Sequence, residues 1–284
     1  MVRKLRLFFE GKGWIEVHTQ NRLSILAACE DPTTIATYTY AGQVWPLPQT
    51  GQMWLEHELL KTPDVPGFFC VSTSYRNEPD PVPGRHDKIF PMFEFECRGG
   101  LETLIALETE LCQYLGFAGS DGSGSYPEGE YNDVAAKFGV SELDHQHEAQ
   151  LCAATGPVYF LKGFPNHTSP FWNMAQDSGT GIAQKVDVLL HGMETIGSAE
   201  RSCNPDEMRQ QFYSISDGMY AKRLFAEFTK ERVEAELEDF LGKTFFQRCG
   251  GGIGVTRLIR AMKLSGSLSG AGAGAEAAAA AASV

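Results

Sequence analysis

The segment from Ser74 to Cys97 reads SYRNEPDPVPGRHDKIFPMFEFEC, and its pattern decides the fold. Gly67 to Tyr75, leading into it, is rich in aromatic and β-branched residues and predicts a strand. Glu78 to Arg85 carries three prolines and a glycine, the composition of a turn-rich loop. Phe90 to Cys97 resumes as a strand. Two strands joined by such a loop make an antiparallel hairpin. Arg76 and Glu78, two residues apart, then face the same side. The planar fork of Arg76 suits a phosphate, and Glu78 accepts hydrogen bonds from an amino group. Arg85 and His86 lie at the end of the loop, within reach of distal phosphates, and Phe90 offers a ring for stacking on a base. The plainer alternative is a charged hairpin laced by surface ion pairs.

On both sides of the hairpin, strands follow hairpin-like turns and helices come in blocks. Val2 to Gly11 predicts a helix with Leu5, Phe8 and Phe9 on its apolar side. Trp14 to Val17 is strand-like. Gln43 to Leu60 predicts a strand, a turn at Gln49-Thr50-Gly51 and a helix carrying Met53, Trp54, Leu55 and Leu59. Leu101 to Leu115 predicts a helix and Gly119 to Glu130 a flexible polar loop. Val134 to Ala154 predicts a helix, and Val158 to Lys162 and Lys185 to Leu190 predict strands. Met208 to Phe240 is helical with interruptions, and Val255 to Leu264 is a last helix. No βαβ rhythm with an early phosphate loop is present. A single α+β domain, an antiparallel β-sheet flanked by helices, is therefore expected over residues 1–263. Residues 264–284 form a low-complexity Gly/Ser/Ala tail with no site.

Two further constellations carry chemistry. Gly250-Gly251-Gly252-Ile253-Gly254-Val255-Thr256-Arg257 places glycines before a helix. Gly252 and Gly254 allow close backbone approach to a ligand, and the helix start favours an anion. Arg257 lies about one turn into that helix. No Gly-Lys-Ser/Thr follows, so this is not a Walker loop; the alternative is a Gly-rich packing turn. In the stretch Asp187 to Arg201, Asp187 and Glu194 are hard oxygen donors suited to magnesium on a nucleotide. Arg201 is a clamp for a carboxylate, against the alternative of an edge strand with a charged turn. His145-x-His147-Glu148 lacks a fourth ligand and reads as a solvated helix end.

The 284 residues are 43% hydrophobic and 21% charged, enough for a packed core. The formal net charge of −12 argues against nucleic acid as the main partner, because phosphate binding needs a basic face. Seven cysteines, an odd number without a CxxC pair, read as reduced thiols of an intracellular protein, in cytoplasm or an organellar matrix. No apolar run approaches transmembrane length.

Taken together, the three blocks resemble a class II aminoacyl-tRNA synthetase. Arg76-x-Glu78 through Glu96 is similar to that family's second motif, and Gly250 to Arg257 to its third. Val2 to Thr19 resembles a degenerate first motif in which Gln20 replaces the usual proline. Thr50-Gly51-Gln52-Met53-Trp54-Leu55-Glu56 and Glu194 to Arg201 resemble the aspartate/asparagine/lysine branch, asparaginyl members above all. The resemblance covers nearly all of residues 2–263. It implies ATP as co-substrate, with Arg76 on the α-phosphate and Glu78 on the adenine amino group. Phe90 and Arg257 would enclose the base. His86 and Arg257, with Arg85, would hold the γ-phosphate. Asp187 and Glu194 would carry Mg²⁺, and Gln52, Glu56 and Arg201 would contact the amino acid. It further implies a homodimer. No segment resembles the family's anticodon-binding domain, which points to paralogues such as asparagine synthetase A.

Departures from the family pattern reshape the pocket. Leu55 stands where aspartate-activating members carry a lysine, and the following Glu56 suits an amide or amine better than a carboxylate. Thr256 and Ile89 replace acids, and Phe171-Trp172-Asn173-Met174 replaces a Phe-Tyr-Met stretch. Three functions are expected to compete: a ligase passing an activated amino acid to ammonia or a small amine, a tRNA-charging enzyme, and a non-catalytic subunit.

Overall fold

The computed structural model describes residues 1–19, 23–26, 32–82, 87–119 and 124–268. The chain opens with α1 (Val2–Glu10), β1 (Ile15–Glu16), the ribbon β2 (Thr37–Tyr40) and β3 (Gln43–Pro46), and α2 (Gln52–Lys61). The hairpin β4 (Gly67–Tyr75) and β5 (Ile89–Arg98) follows, then α3 (Leu101–Leu115), β6 (Glu128–Glu130), α4 (Tyr131–Phe138) and α5 (His145–Thr155). Strands β7 (Val158–Phe164), β8 (Ala183–Leu190) and β9 (Glu194–Arg201) precede α6 (Pro205–Ser214), α7 (Met219–Phe228) and α8 (Lys230–Leu241). Strand β10 (Arg248–Gly254) runs into α9 (Val255–Leu264).

Eight strands form one sheet in the order β1-β4-β5-β10-β9-β8-β7-β6. The six inner strands pair antiparallel, as expected, while β1 and β6 add parallel edges. Strand alternation divides the side chains of β5. Phe93, Phe95 and Cys97 join a core with α1, α3 and α9 on one face. On the other face, Leu55 and Leu59 of α2 cover Phe68 and Cys70 of β4. Tyr131 of α4 and Cys152 of α5 cover Tyr159 and Leu161 of β7. Helices α6, α7 and α8 build their own apolar layer against Met53 and Trp172. Between these covers the middle strands stay open to a cleft.

Phe9 anchors α1 at the centre of the first core. It is fully buried, with ring centroids 5.2 Å from Phe93 and 5.4 Å from Phe95. Phe9→Ala is expected to lower stability by ~3–5 kcal/mol in urea denaturation. A loss below ~1 kcal/mol would show that α1 does not seal this core.

Two segments differ from expectation. Residues 128–130 pair with β7 as β6 instead of belonging to a loop, although Gly129 has no Cβ and sits beside Tyr159. The helix expected from Val134 to Ala154 is two helices. Gly139 turns the chain at φ +70°, and Asp144 starts α5 with a capping box, accepting from the backbone N–H of Gln146 and His147 while His147 Nδ1 accepts from Asp144 N–H at 3.0 Å. His147 is thus a capping side chain. Among the described residues, no helix is long and apolar enough to cross a membrane.

Candidate active site

The open middle of the sheet forms the floor of a cleft of about 270 Å³. Its chemistry follows from the alternation of β5. While Phe93 and Phe95 point into the core, Met92, Glu94 and Glu96 point to the other face. Register places Gly250 opposite Glu96 and Gly252 opposite Glu94. A Cβ at Gly250 would collide with the Glu96 carboxylate, and one at Gly252 would lie 2.7 Å from Met92 Cε. The glycine run is a strand, and part of its need for glycine comes from the floor's own side chains. Gly252 and Gly254 still line the cleft.

Glu94 ties the wall to the floor. It is fully buried and accepts from Thr50 Oγ1, Ser72 Oγ and the Gly51 N–H, the last at 2.8 Å. Burial raises its pKa while these donors oppose the shift. The bonds fix the first turn of α2, so that Gln52 faces the cleft.

Deeper in, four charged groups interlock. Arg201 makes a two-pronged pair with Glu96, Nε to Oε1 at 3.1 Å and Nη2 to Oε2 at 3.1 Å. Arg248 Nε donates to Glu56 Oε2 at 2.9 Å, and Asn173 Nδ2 donates to Glu56 Oε1 at 2.6 Å. All five side chains are at most 2% exposed. Burial pushes Glu96 above the ordinary carboxylate range, and the Arg201 charge pulls it back. Arg201 and Glu56, the residues expected to contact an amino acid, line the cleft, and both are already engaged by protein partners.

The other end collects the remaining cleft residues. Arg76 follows β4 directly, its backbone N–H bonded to Lys88 O at 2.8 Å. Its guanidinium lies 5.6 Å from the Phe90 ring centroid, and among the described residues its buried Nε has no protein acceptor. Arg257, in the first turn of α9, donates from Nη1 to the Glu194 backbone oxygen at 2.8 Å and approaches Glu194 Oε2 at 3.5 Å. Arg76, Glu78, Phe90, Glu194 and Arg257 all line the same cleft. The guanidiniums of Arg76 and Arg257 thus face one cavity, although 181 positions separate them in the chain.

Asp187 does not line the cleft. It is 7% exposed, behind Gly197, its register partner on β9, and Lys185 Nζ pairs with its Oδ2 at 3.0 Å. A Cβ on Gly197 would lie 2.9 Å from Glu194 Oε1 and 3.6 Å from Asp187 Oδ1. The two carboxylates therefore converge on a space that a side chain would fill. Two hard oxygen donors facing one space fit magnesium, which takes one or two carboxylates and completes its shell with other oxygens. Arg85 and His86 lie outside the described residues. Arg248 and Lys185 were missed in the sequence, and Asn173 was noted only as part of a stretch that reshapes the pocket. The Lys185-x-Asp187 spacing, which puts both on one face of a strand, was the available signal for Lys185. Arg248 had none, since nothing local says which strand it meets.

Comparison with known proteins bears on this arrangement. The chain matches asparaginyl-tRNA synthetase from Pyrococcus horikoshii complexed with asparaginyl-adenylate at a TM-score of 0.76 and 21% identity, covering 93% of this chain and 63% of that one. It matches Entamoeba histolytica asparaginyl-tRNA synthetase in complex with asparaginyl-adenylate at 0.71 and 18%, covering 93% and 62%. A putative aspartyl-tRNA synthetase from Leishmania major Friedlin gives 0.69 and 15%, covering 92% and 60%. The chain thus spans about three fifths of the length of these structures, and at such identities the likeness speaks for the fold. A search of curated proteins finds no match. The sequence model described as tRNA synthetases class II (D, K and N) matches residues 1–269, nearly all of the chain. The chain belongs to the class II tRNA synthetase family of the D, K and N type.

Proposed function

We propose that this chain joins an amino acid to ATP, forming an aminoacyl-adenylate and pyrophosphate, and that ammonia, a small amine or tRNA then takes the acyl group. The observation that carries the reading is the meeting of Arg76 and Arg257 in one cleft with Glu78, Phe90 and Glu194. Family membership supports it, as do the adenylate complexes of the similar asparaginyl enzymes.

A phosphate oxygen would supply the acceptor that buried Arg76 Nε lacks. Glu78 reads the adenine amino group, and Phe90 and Arg257 enclose the ring. Gly252 and Gly254 leave room for the nucleotide backbone. Arg257, with Arg85 and His86, holds the distal phosphates. Gln52, Glu56 and Arg201 form the amino-acid end. The substrate carboxylate attacks the α-phosphorus. The bond to the bridging oxygen breaks, and pyrophosphate leaves with that electron pair. The protein's part is positioning and neutralisation of phosphate charge. Magnesium, held by Asp187 and Glu194, would add further neutralisation when bound. Residues 1–263 act as the catalytic unit, residues 264–284 as a tail without a site, and a second copy of the chain as partner.

Amino-acid-dependent exchange of labelled pyrophosphate into ATP tests this directly. Label should enter ATP only when an amino acid is present. Folded protein that exchanges no label with any of the standard amino acids would sink the proposal. Hydroxylamine-free reactions with ammonia, a small amine or tRNA then identify the acceptor.

A further inference from the structure

Two carboxylates facing one space draw a divalent cation by their summed charge. Here each of them already has a basic partner. Strand alternation puts Lys185 and Asp187 on the same face of β8, and the Lys185 ammonium donates to Asp187 Oδ2 at 3.0 Å. The same Nζ lies 3.9 Å from the ring centroid of Phe164 on β7. Ring and carboxylate together hold the ammonium of a residue that is 8% exposed and lines the cleft. Glu194 has the looser partner, Arg257 Nη1 at 3.5 Å, and both of those side chains are partly exposed.

Asp187 thus divides its oxygens. Oδ2 takes Lys185, while Oδ1 faces the space above Gly197 that Glu194 Oε1 also faces. A divalent ion in that space would stand one carboxylate's width from a fixed ammonium, and the two would repel. Glu148 adds an acid nearby, its Oε2 accepting from the Glu194 backbone N–H at 3.4 Å. Without Lys185, three acids would be set against Arg257, an excess of negative charge that attracts metal. The phosphates of a nucleotide carry negative charge of their own and would offset the ammonium.

We propose that Lys185 is a resident cation that keeps the Asp187 and Glu194 pair from taking a divalent metal ion by itself, so that the pair takes one only together with the phosphates of a nucleotide. The inference rests on the adenylate-forming reading above. Lys185 acts through Asp187 and is a positioning residue, which couples metal uptake to nucleotide uptake.

Titration of the full chain with Mn²⁺, which stands in for magnesium and is followed by electron paramagnetic resonance, tests this without turnover. In the absence of nucleotide the unmodified chain should bind no Mn²⁺ at submillimolar concentration. Lys185→Gln keeps a donor for Asp187 and removes the charge, and should gain at least roughly tenfold in nucleotide-free affinity. Asp187→Asn added to that variant should abolish the gain. An ion pair that served the fold alone would leave the affinity unchanged or lower it. By calorimetry, the unmodified chain should bind α,β-methylene-ATP more tightly with Mn²⁺ than without. Submillimolar nucleotide-free binding by the unmodified chain, no gain in Lys185→Gln, a gain that survives Asp187→Asn, or analogue affinity indifferent to Mn²⁺ would overturn the role of Lys185. Failure of the analogue to bind under either condition would overturn the adenylate-forming reading and the coupling with it, while the nucleotide-free titration still decides whether Lys185 excludes metal. That titration of the unmodified chain holds even where the variant does not fold.

Discussion

Arg76→Ala lowers amino-acid-dependent pyrophosphate exchange by roughly 10²–10³-fold, the usual loss when one preorganised charge-stabilising donor is removed. The fold should barely register the change. The protein contact of the Arg76 guanidinium recorded at the cleft is the Phe90 ring at 5.6 Å, an exposed-type cation–π contact worth only ~0.5–1 kcal/mol. Among the described residues its buried Nε has no protein acceptor to lose. Loss of activity with an almost unchanged melting temperature is therefore the signature of a group held for a ligand. Arg257→Ala should lose exchange as well, but with a structural cost, because Arg257 also caps the Glu194 carbonyl at 2.8 Å. Exchange at the unmodified rate in the Arg76 variant would remove that arginine from the phosphate site.

How much of this was legible in the chain depends on the range of the interaction. The hairpin of Ser74 to Cys97 was legible because turn chemistry and strand alternation are local. The same alternation placed Phe93 and Phe95 in the core and Glu94 and Glu96 on the cleft face. Resemblance then named Arg76, Glu78, Phe90, Glu194 and Arg257, and these do share one cavity. What the sequence could not show was who neutralises whom. Arg201 meets Glu96 across 105 positions, and Arg248 meets Glu56 across 192. Such pairings depend on strand order, which puts β10 between β5 and β9. The glycine run illustrates the same limit. Read locally, the glycine run makes room for a ligand; in the sheet its first member, Gly250, makes room for Glu96. Asn173 looked like a reshaped pocket residue, but the turn of its amide follows only from the Glu56 carboxylate that accepts from it. Helix breaks at Gly139 and Asp144 were written locally and were overlooked in favour of one continuous helix.

Glu108 carries the second large expectation, and it concerns stability. It lies on α3, fully buried on the far side of the sheet from the cleft, and among the described residues neither carboxylate oxygen has a donor within hydrogen-bond geometry. The neighbouring Ser198 hydroxyl is committed to Val186 O at 3.2 Å. Burial raises the Glu108 pKa to about 8, with the nearby Ser198 hydroxyl opposing the shift and the Asp187 charge adding to it. The folded protein therefore holds a proton that the unfolded chain, near 4.5, releases. A raised folded-state value means stability fully present below about 4.5 and lost as pH rises through about 8. Each pH unit in that window costs ~1.4 kcal/mol, so the whole span amounts to roughly 4–5 kcal/mol. Glu108→Gln keeps the shape of the neutral acid and cannot ionise. Urea denaturation at pH 5 should find the variant close to the unmodified protein. At pH 8.5 the variant should be the more stable by several kcal/mol, on the order of the linkage sum. Parallel pH profiles for the two proteins would show that Glu108 does not hold its proton in the folded state, and the account of a neutral acid beneath β9 would fail.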